Sequence, residues 1–449
     1  MSTPAVKTHS AVIVGLGRTG LSCARYLRRL GWSFAVTDTR ERPPELAALR
    51  ELDPTIPVRT GGLDASLLGQ ADCVVVSPGI SLAAPFFAEA RERGLEVVGD
   101  IELFARAKDA PAVGITGTNG KSTVTTLVGR MAARSGVPVR VGGNLGEPAL
   151  DLLMPTGVAT GLYVLELSSF QLESTCSLEL KAATVLNVTP DHLDRYRSVE
   201  DYAAAKARIF ARCDTAVINL DDPLVVAMPR HGQRTLSFSL RAAIGADYSI
   251  TKKDSEWWLM RSSEALLPVS AMRIKGMHNA ANALAALSLG EALDLSMPVM
   301  LAELQEFPGL PHRSQWVAEV NGVTYINDSK GTNVGATIAA VGGMSGPLVM
   351  IAGGDGKNQD FTPLAAAFRG KVRHTVLIGR DAAAIGRALL GVCTTETCPS
   401  LQAAVRAAAR AAMPGDTVLL SPACASLDMF RDYTQRGAVF TEAVRELAA

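Results

Sequence analysis

The run GITGTNGKSTVTTLVGRM, residues 114 to 131, carries the residue types that hold a chain of phosphates. An apolar segment leads into Gly117-Thr118-Asn119-Gly120-Lys121-Ser122-Thr123, and a helical pattern follows. Glycines let backbone N–H groups turn toward an anion, the helix N-terminus adds positive potential, and the lysine supplies a point charge. The hydroxyl after the lysine suits a Mg²⁺ ion, as in phosphate-loop enzymes. The spacing departs from G-x-x-x-x-G-K-[ST], because Ile115 stands at its first glycine, so this is a shorter G-x-x-G-K-S form. ATP is favoured over GTP, since no Asn-Lys-x-Asp guanine signature is present. Kinase, ATPase and ligase all remain open on this loop alone.

Residues downstream add to the chemistry. Glu166 ends the apolar run LYVLE, a good station for a carboxylate that holds Mg²⁺. The stretch NVTPDHLDRY puts Asn187, Asp191 and His192 after the next apolar run. A lone histidine is more often structural than a ligand, but beside a phosphate loop a nucleotide or metal role is expected. A second glycine motif opens the chain: AVIVGLGRTG holds Gly15, Gly17 and Gly20, and SFAVTD then ends in Asp38. That is the signature of a dinucleotide-binding βαβ unit. A nicotinamide or flavin oxidoreductase is one reading of it, yet nothing after Asp38 supplies a hydride-transfer centre.

These residues need elements to position them. β-branched runs alternate with alanine- and leucine-rich helical stretches throughout, which predicts α/β architecture with parallel sheets. Three blocks emerge, with breaks near GDIELFARA and FPGLPHR, and the second holds the strand candidates PAVGIT, VPVRVGG, LYVLELS, AATVLNV and TAVINL. Ligands of such sheets gather beyond the carboxyl ends of the strands. Most predicted strand ends here carry a polar candidate: Asn144, Glu166, Ser168, Asn187, His192, Asp328, Lys330, Lys357 and Ser426.

Composition narrows the setting. The 449 residues exceed one core, and the soft expectation is three domains. Lysine plus arginine equals aspartate plus glutamate at 44 each, so no bulk field draws nucleic acid or anionic membrane. MSTPAVKTHS lacks the apolar run of a signal peptide, and no uninterrupted apolar stretch of about 18 residues suggests a transmembrane helix. Seven scattered cysteines without a Cys-x-x-Cys pair fit a reducing compartment. A soluble, cytoplasmic protein is expected.

Taken in order, GTNGKS, ELSSFQLE, NVTPDHLDRY, GMHNAANALAAL, GLPHR, NDSKGTN, GGDGK and LSPACASLD resemble the Mur ligase family. The resemblance implies three domains: a Rossmann-like UDP-binding domain over 1–99, a central ATP-binding domain over 100–309, and a Rossmann-like D-glutamate-binding domain over 310–449. It implies ATP-driven joining of D-glutamate to UDP-N-acetylmuramoyl-L-alanine through an acyl phosphate, in cytoplasmic peptidoglycan precursor synthesis. ATP and two Mg²⁺ ions are implied, and neither NAD nor FAD. No nucleic-acid partner, no membrane insertion and a monomer are expected.

By the same resemblance, Thr118, Asn119, Gly120, Lys121, Ser122 and Thr123 hold the ATP phosphates, with Lys121 on the β- and γ-groups. Asn279 and Asn282 lie on the adenine side, and Arg313, Asp328 and Lys330 near phosphates and ribose. Ser122 and Glu166 hold one metal, and His192 with Lys206 a second, provided Lys206 is carbamylated. Read without the family, Lys206 in DYAAAKARIF is a solvated helix residue. Arg18, Thr19, Gly20, Asp38, Thr39, Arg40 and Gly79, with Asn144 and His192, are expected around the UDP-linked substrate. Thr332, Lys357, Ser426, Leu427 and Tyr433 are expected around D-glutamate. Arg18, Gly331 and Tyr433 depart from the family's usual residues, as does Ser314-Gln315 after the GLPHR arginine. Splitting ligands over three blocks requires an assembly step, expected as a swing of the third domain. Another amide-forming ligase of this architecture, an oxidoreductase with an accessory ATP site, and a regulatory ATP-binding protein are the alternatives.

Overall fold

Continuous apolar runs such as SAVIV and CVVV suit strands covered on both faces, and they build the first of three sheets. A computed structural model describes residues 9–154, 157–241, 245–274, 276–344 and 346–448. Strands β1 (Ser10–Val14), β2 (Ser33–Asp38), β3 (Val58–Thr60), β4 (Cys73–Val76) and β5 (Glu96–Gly99) are parallel, in the order β3-β2-β1-β4-β5. The order reverses between β1 and β4, so a crevice opens past their carboxyl ends.

The second sheet holds β6 (Ala112–Thr116), β7 (Val139–Gly143), β8 (Leu162–Glu166), β9 (Leu180–Val185), β10 (Cys213–Asn219), β11 (Arg234–Phe238), β12 (Tyr248–Lys253), β13 (Glu256–Arg261) and β14 (Glu264–Pro268). Its order is β14-β13-β12-β11-β10-β9-β6-β8-β7, parallel from β7 to β12 and antiparallel beyond. The third holds β15 (Gln315–Val320), β16 (Val323–Asn327), β17 (Leu348–Gly353), β18 (Val372–Ile378), β19 (Thr394–Thr397) and β20 (Thr417–Leu420). Its order is β15-β16-β20-β17-β18-β19, parallel but for the β15–β16 pair.

The expected runs PAVGIT, VPVRVGG, LYVLELS, AATVLNV and TAVINL correspond to β6 to β10. The antiparallel β12–β14 extension has no counterpart among those expectations. Its first turn, Asp254-Ser255, takes φ +47° and +72°, and Ser262 in the second takes +49°. Left-handed hairpin turns usually advertise themselves through glycine, and neither of these contains one.

The first two sheets share one apolar core. The helix Asp100–Ala107 buries Ile101, Leu103 and Phe104 in a cluster that runs from Ile13 and Val75 to Leu165 and Ala183. The Phe104 ring meets Tyr163 edge-on at 5.0 Å. Each such side chain contributes about 1.5–3 kcal/mol, so this junction is held by packing. The third sheet has its own clusters on its two faces, and several of its links to the second unit are polar, as described below. Among the described residues no helix is long and apolar enough to cross a membrane.

Helix Arg18–Arg29 follows β1 so closely that a Cβ on Gly20 would lie 2.0 Å from the Gly15 carbonyl oxygen. That obstacle is backbone and cannot rotate aside. Gly20→Ala is expected to cost about 1–3 kcal/mol through overpacking, read as an earlier transition in denaturant unfolding. An unchanged transition would show that the helix shifts freely against β1.

Candidate active site

The phosphate loop joins β6 to the helix Lys121–Arg134. Gly120 caps that helix at φ +86°, and a Cβ there would come within 2.4 Å of Asn282 Oδ1. Asn187 clamps the loop from β9: its Oδ1 accepts from Asn119 N at 2.9 Å, and its Nδ2 donates to Asn119 O at 3.1 Å. Lys121 Nζ donates to the Gly117 and Thr118 carbonyls, both at 2.9 Å. Burial lowers its pKa, and the charges of Arg313 and Lys357 add to that against Glu166 and Asp191.

Glu166, at the end of β8, is buried beside this loop. Ser122 Oγ donates to Oε2 at 2.5 Å and Asn144 Nδ2 donates to Oε1 at 2.6 Å. Burial works to raise the Glu166 pKa, but Lys121 and these two donors outweigh it, and the carboxyl lies below its ordinary value. Arg313 Nη2 donates to Ser122 Oγ at 2.6 Å. One serine hydroxyl thus links the second unit's carboxylate to the third unit's guanidinium.

Lys206 is not a solvated helix residue, as its sequence context alone suggests; it is 1% exposed. Its Nζ donates to Gly117 O at 2.9 Å and lies 4.3 Å from the centre of the Tyr202 ring. Burial, then the charge of Lys121, pushes its pKa far down. His192 has φ +55° and sets its ring edge-on to Phe170 at 4.9 Å. Its pKa is lowered by burial against the pull of Asp191.

A single cavity collects most of these groups. Lys121, Glu166, His192, Lys206, Arg313, Lys330, Thr332, Lys357, Ser426, Leu427 and Tyr433 line it, together with Asn144, Gly79 and the loop residues Thr118 to Gly120. Leu427 stands at its mouth, 71% exposed. The third unit closes on the second through Lys357 Nζ to Asp191 Oδ1 at 3.2 Å and Asn333 Nδ2 to Asp191 Oδ2 at 3.2 Å. A neighbouring cavity is lined by Asn119, Gly120, Thr123, Asn279, Asn282, Arg313, Asp328 and Lys330, with Phe238, Ile274 and His278 as further walls. Buried Asp328 accepts from Ser421 Oγ at 2.8 Å and Ser314 N at 3.0 Å, and burial raises its pKa to about 6. A third cavity, past β1 and β4, is lined by Arg18, Thr19, Thr39, Arg40, Gly79 and Asn144.

Three expected site residues lie behind the walls. Asp38 is fully buried: its Oδ2 accepts from Leu16 N and Arg40 Nη2, both at 2.6 Å, and its Oδ1 from Arg40 N and Nε. It braces the glycine turn and aims Arg40, which faces the cavity in its place. Gly20 is the packing contact described above, and Ser122 reaches the site through Glu166 and Arg313. Sequence reasoning passed over Asn333 and Phe170. Asn333 closes the motif NDSKGTN and caps the helix Val334–Gly343, so its signal was in view; Phe170 carried none beyond ELSSFQLE.

The buried carboxylate and hydroxyl of Glu166 and Ser122 are hard oxygen donors of the kind that suit Mg²⁺, which keeps several waters and needs few protein ligands. Among the described residues, no group of three or more His, Cys, Asp or Glu side chains gathers for a metal. A metal here would rest on that pair, completed by the phosphate oxygens of a bound nucleotide.

Comparison with known proteins finds three family models along the chain. Models described as Mur ligase MurD-like, N-terminal domain; Mur ligase middle domain; and Mur ligase, glutamate ligase domain match residues 9–99, 115–290 and 312–424. A protein of Nitrosococcus oceani named UDP-N-acetylmuramoylalanine--D-glutamate ligase is 50% identical, over 98% of this chain and 97% of its own. One of the same name from Methylococcus capsulatus is also 50% identical, over 97% and 95%. The solved UDP-N-acetylmuramate-alanine ligase MurC of Thermotoga maritima shares the fold, with TM-score 0.62 at 18% identity, covering 97% of this chain and 99% of that one. So does a pseudomurein peptide ligase type C of Methanothermus fervidus, with TM-score 0.63 at 17% identity, covering 98% and 100%.

Lys330 makes the cavity's electrostatics measurable. Its Nζ lies 4.0 Å from the Tyr433 ring centre, and burial, then Arg313 and Lys121, lowers its pKa to about 7. The folded state therefore holds this proton more weakly than the unfolded chain, whose lysine titrates near 10.4. Stability from this group is lowest below about pH 7 and recovers as pH rises toward about 10. Lys330→Met is expected to raise the unfolding midpoint most at about pH 6, with the gain shrinking toward about pH 10. A gain constant across that window would refute the shift.

Proposed function

The chain belongs to the Mur ligase family, and we propose that it joins D-glutamate to UDP-N-acetylmuramoyl-L-alanine at the expense of ATP. The observation that carries this reading is the cavity in which the phosphate loop, Glu166 and the loops bearing Lys357 and Ser426 face one another. Half-identical relatives spanning nearly the whole chain bear the name of that ligase. Residues 1–99, 100–309 and 310–449 are read as the UDP-, ATP- and D-glutamate-binding domains. The protein is read as a cytoplasmic monomer without NAD or FAD.

A carboxylate resists attack by an amine, because oxide is a hopeless leaving group. Transfer of the γ-phosphoryl group onto the substrate carboxylate breaks the bond from the γ-phosphorus to the bridging oxygen and releases ADP. The resulting acyl phosphate is attacked by the D-glutamate amine, and the tetrahedral intermediate collapses with loss of phosphate. Both steps crowd negative charge, so positioning and cationic stabilisation dominate. Lys121 neutralises the transferring phosphoryl group, and Arg313 and Lys330 approach the phosphates from the third domain. Asn279 and Asn282 face the adenine side, and Asp328 orders the ribose side by fixing the Ser314 backbone.

Glu166 and Ser122 are suited to one Mg²⁺, and His192 with a carbamylated Lys206 to a second; bound metal would supply further neutralisation of phosphate charge. The low pKa of Lys206 favours the uncharged amine that carbamylation requires. Arg18, Thr19, Thr39, Arg40, Gly79 and Asn144 cradle the diphosphate of the substrate, Asp38 and Gly20 shape that cradle, and His192 reaches the substrate's acyl end. Lys357 offers a cation to D-glutamate, with Thr332, Ser426, the Leu427 segment and Tyr433 around it.

Phosphate release is expected only when ATP, Mg²⁺, UDP-N-acetylmuramoyl-L-alanine and D-glutamate are all present. Comparable turnover with L-alanine, L-lysine or meso-diaminopimelate as acceptor would overturn the D-glutamate assignment. Lys121→Ala is expected to lower kcat by about 10²–10³-fold or more while the protein stays folded by circular dichroism. Acyl-phosphate formation at the unsubstituted rate would remove this lysine from its role.

A further inference from the structure

Two cavities meet at one turn. Pro78 and Gly79 of the turn after β4 line both the crevice past β1 and the cavity of the phosphate loop. Whatever sets the height of this turn sets how far a molecule anchored at the glycine motif reaches toward Lys121. The turn lies on the first unit, and the side chain that holds it comes from the second.

That side chain is Arg195. Its Nη1 donates to Pro78 O at 2.8 Å and its Nη2 to Ile80 O at 3.3 Å, so it grips the carbonyls on either side of Gly79. Nη2 also donates to Glu173 Oε2 at 2.8 Å, and the guanidinium lies 4.0 Å from the centre of the Phe170 ring. The Phe170 and His192 rings meet at 4.9 Å with their planes at 67°, and Arg195 N donates to His192 O at 2.9 Å. Glu173 is itself fixed by the Tyr196 hydroxyl at 2.5 Å. The Arg195 side chain is only 15% exposed. A guanidinium this dry is held by its planar fork, which serves three acceptors and a ring face at once; an ammonium has no such geometry.

We propose that Arg195 is a positioning residue that sets the register between the diphosphate cradle and the phosphate loop, and so governs how the UDP-linked substrate seats. This rests on the ligase reading above. Among the described residues no hydrogen bond, ion pair or ring contact joins Arg195 to the phosphate loop or the acceptor loops, so its effect is expected on one substrate of three. Misplacement of a reacting group by about 1 Å costs on the order of 10²-fold, which makes one turn's height sufficient to matter.

Steady-state kinetics with each substrate varied in turn test this. Arg195→Lys and Arg195→Met are expected to raise KM for UDP-N-acetylmuramoyl-L-alanine at least about 10-fold and to lower kcat, with KM for ATP and D-glutamate within about 2-fold. A merely structural role would lower the active fraction and leave every KM alone. Glu173→Gln, a milder change, is expected to raise the same KM about 3-fold, and it decides the matter if the Arg195 variants do not fold. An unchanged KM in the folded variants, full rescue by Lys, or equal shifts for ATP would overturn the proposal. Absence of ligase turnover in the unsubstituted chain would instead overturn the functional reading on which it stands.

Discussion

A buried carboxylate among buried cations is the constraint on which this molecule turns. Glu166 is taken out of water at the end of β8, and two donors, Ser122 and Asn144, satisfy its oxygens. Around it stand Lys121, Arg313 and Lys330, all with pKa values lowered by burial. An isolated buried charge costs several kcal/mol, so each member of the set depends on the others. Basic side chains outnumber carboxylates in the lining of this cavity although the chain as a whole is neutral. Local geometry, rather than net charge, therefore makes the site attractive to a polyphosphate.

The two junctions of the molecule differ in kind. The first and second units share an apolar core through Ile101, Leu103 and Phe104, and parting them would expose that surface to water. The third unit is linked across the active site by Arg313 to Ser122, Lys357 to Asp191, and Asn333 to Asn119 and Asp191. Water substitutes readily for hydrogen bonds, whose net worth is about 0.5–1.5 kcal/mol each. The contrast fits a reaction in which substrates enter beside the acceptor loops and the phosphate loop is then sealed from solvent.

Legibility followed chemistry more than fold. Strand runs with glycine or polar ends, such as PAVGIT before the phosphate loop, were readable because both faces of a parallel strand are buried. The β12–β14 extension was not, because its tight turns are made by Asp254, Ser255 and Ser262 without glycine. Lys206 was readable only through family likeness, since no local pattern tells a buried lysine from a solvated one on an alanine-rich helix. Arg195 was invisible for a related reason. The hydrogen-bond partners of its guanidinium lie 22 to 117 residues away in the chain, and nothing beside it in the sequence names them.

By itself the sequence determined the anion-binding turns, the alternation of strands and helices, and the order of motifs that marks the family. These are local properties: a glycine's freedom, a run of β-branched residues, a lysine at the head of a helix. Only the tertiary structure decided which motifs share a cavity and which stand behind its wall. Asp38 reads as a ligand in the sequence, yet it is consumed by Leu16 and Arg40. The glycine motif that opens the chain presents Arg18, Thr19 and Arg40 instead. Burial and charge balance depend on neighbours distant in the chain, and so they exist only once the chain has folded.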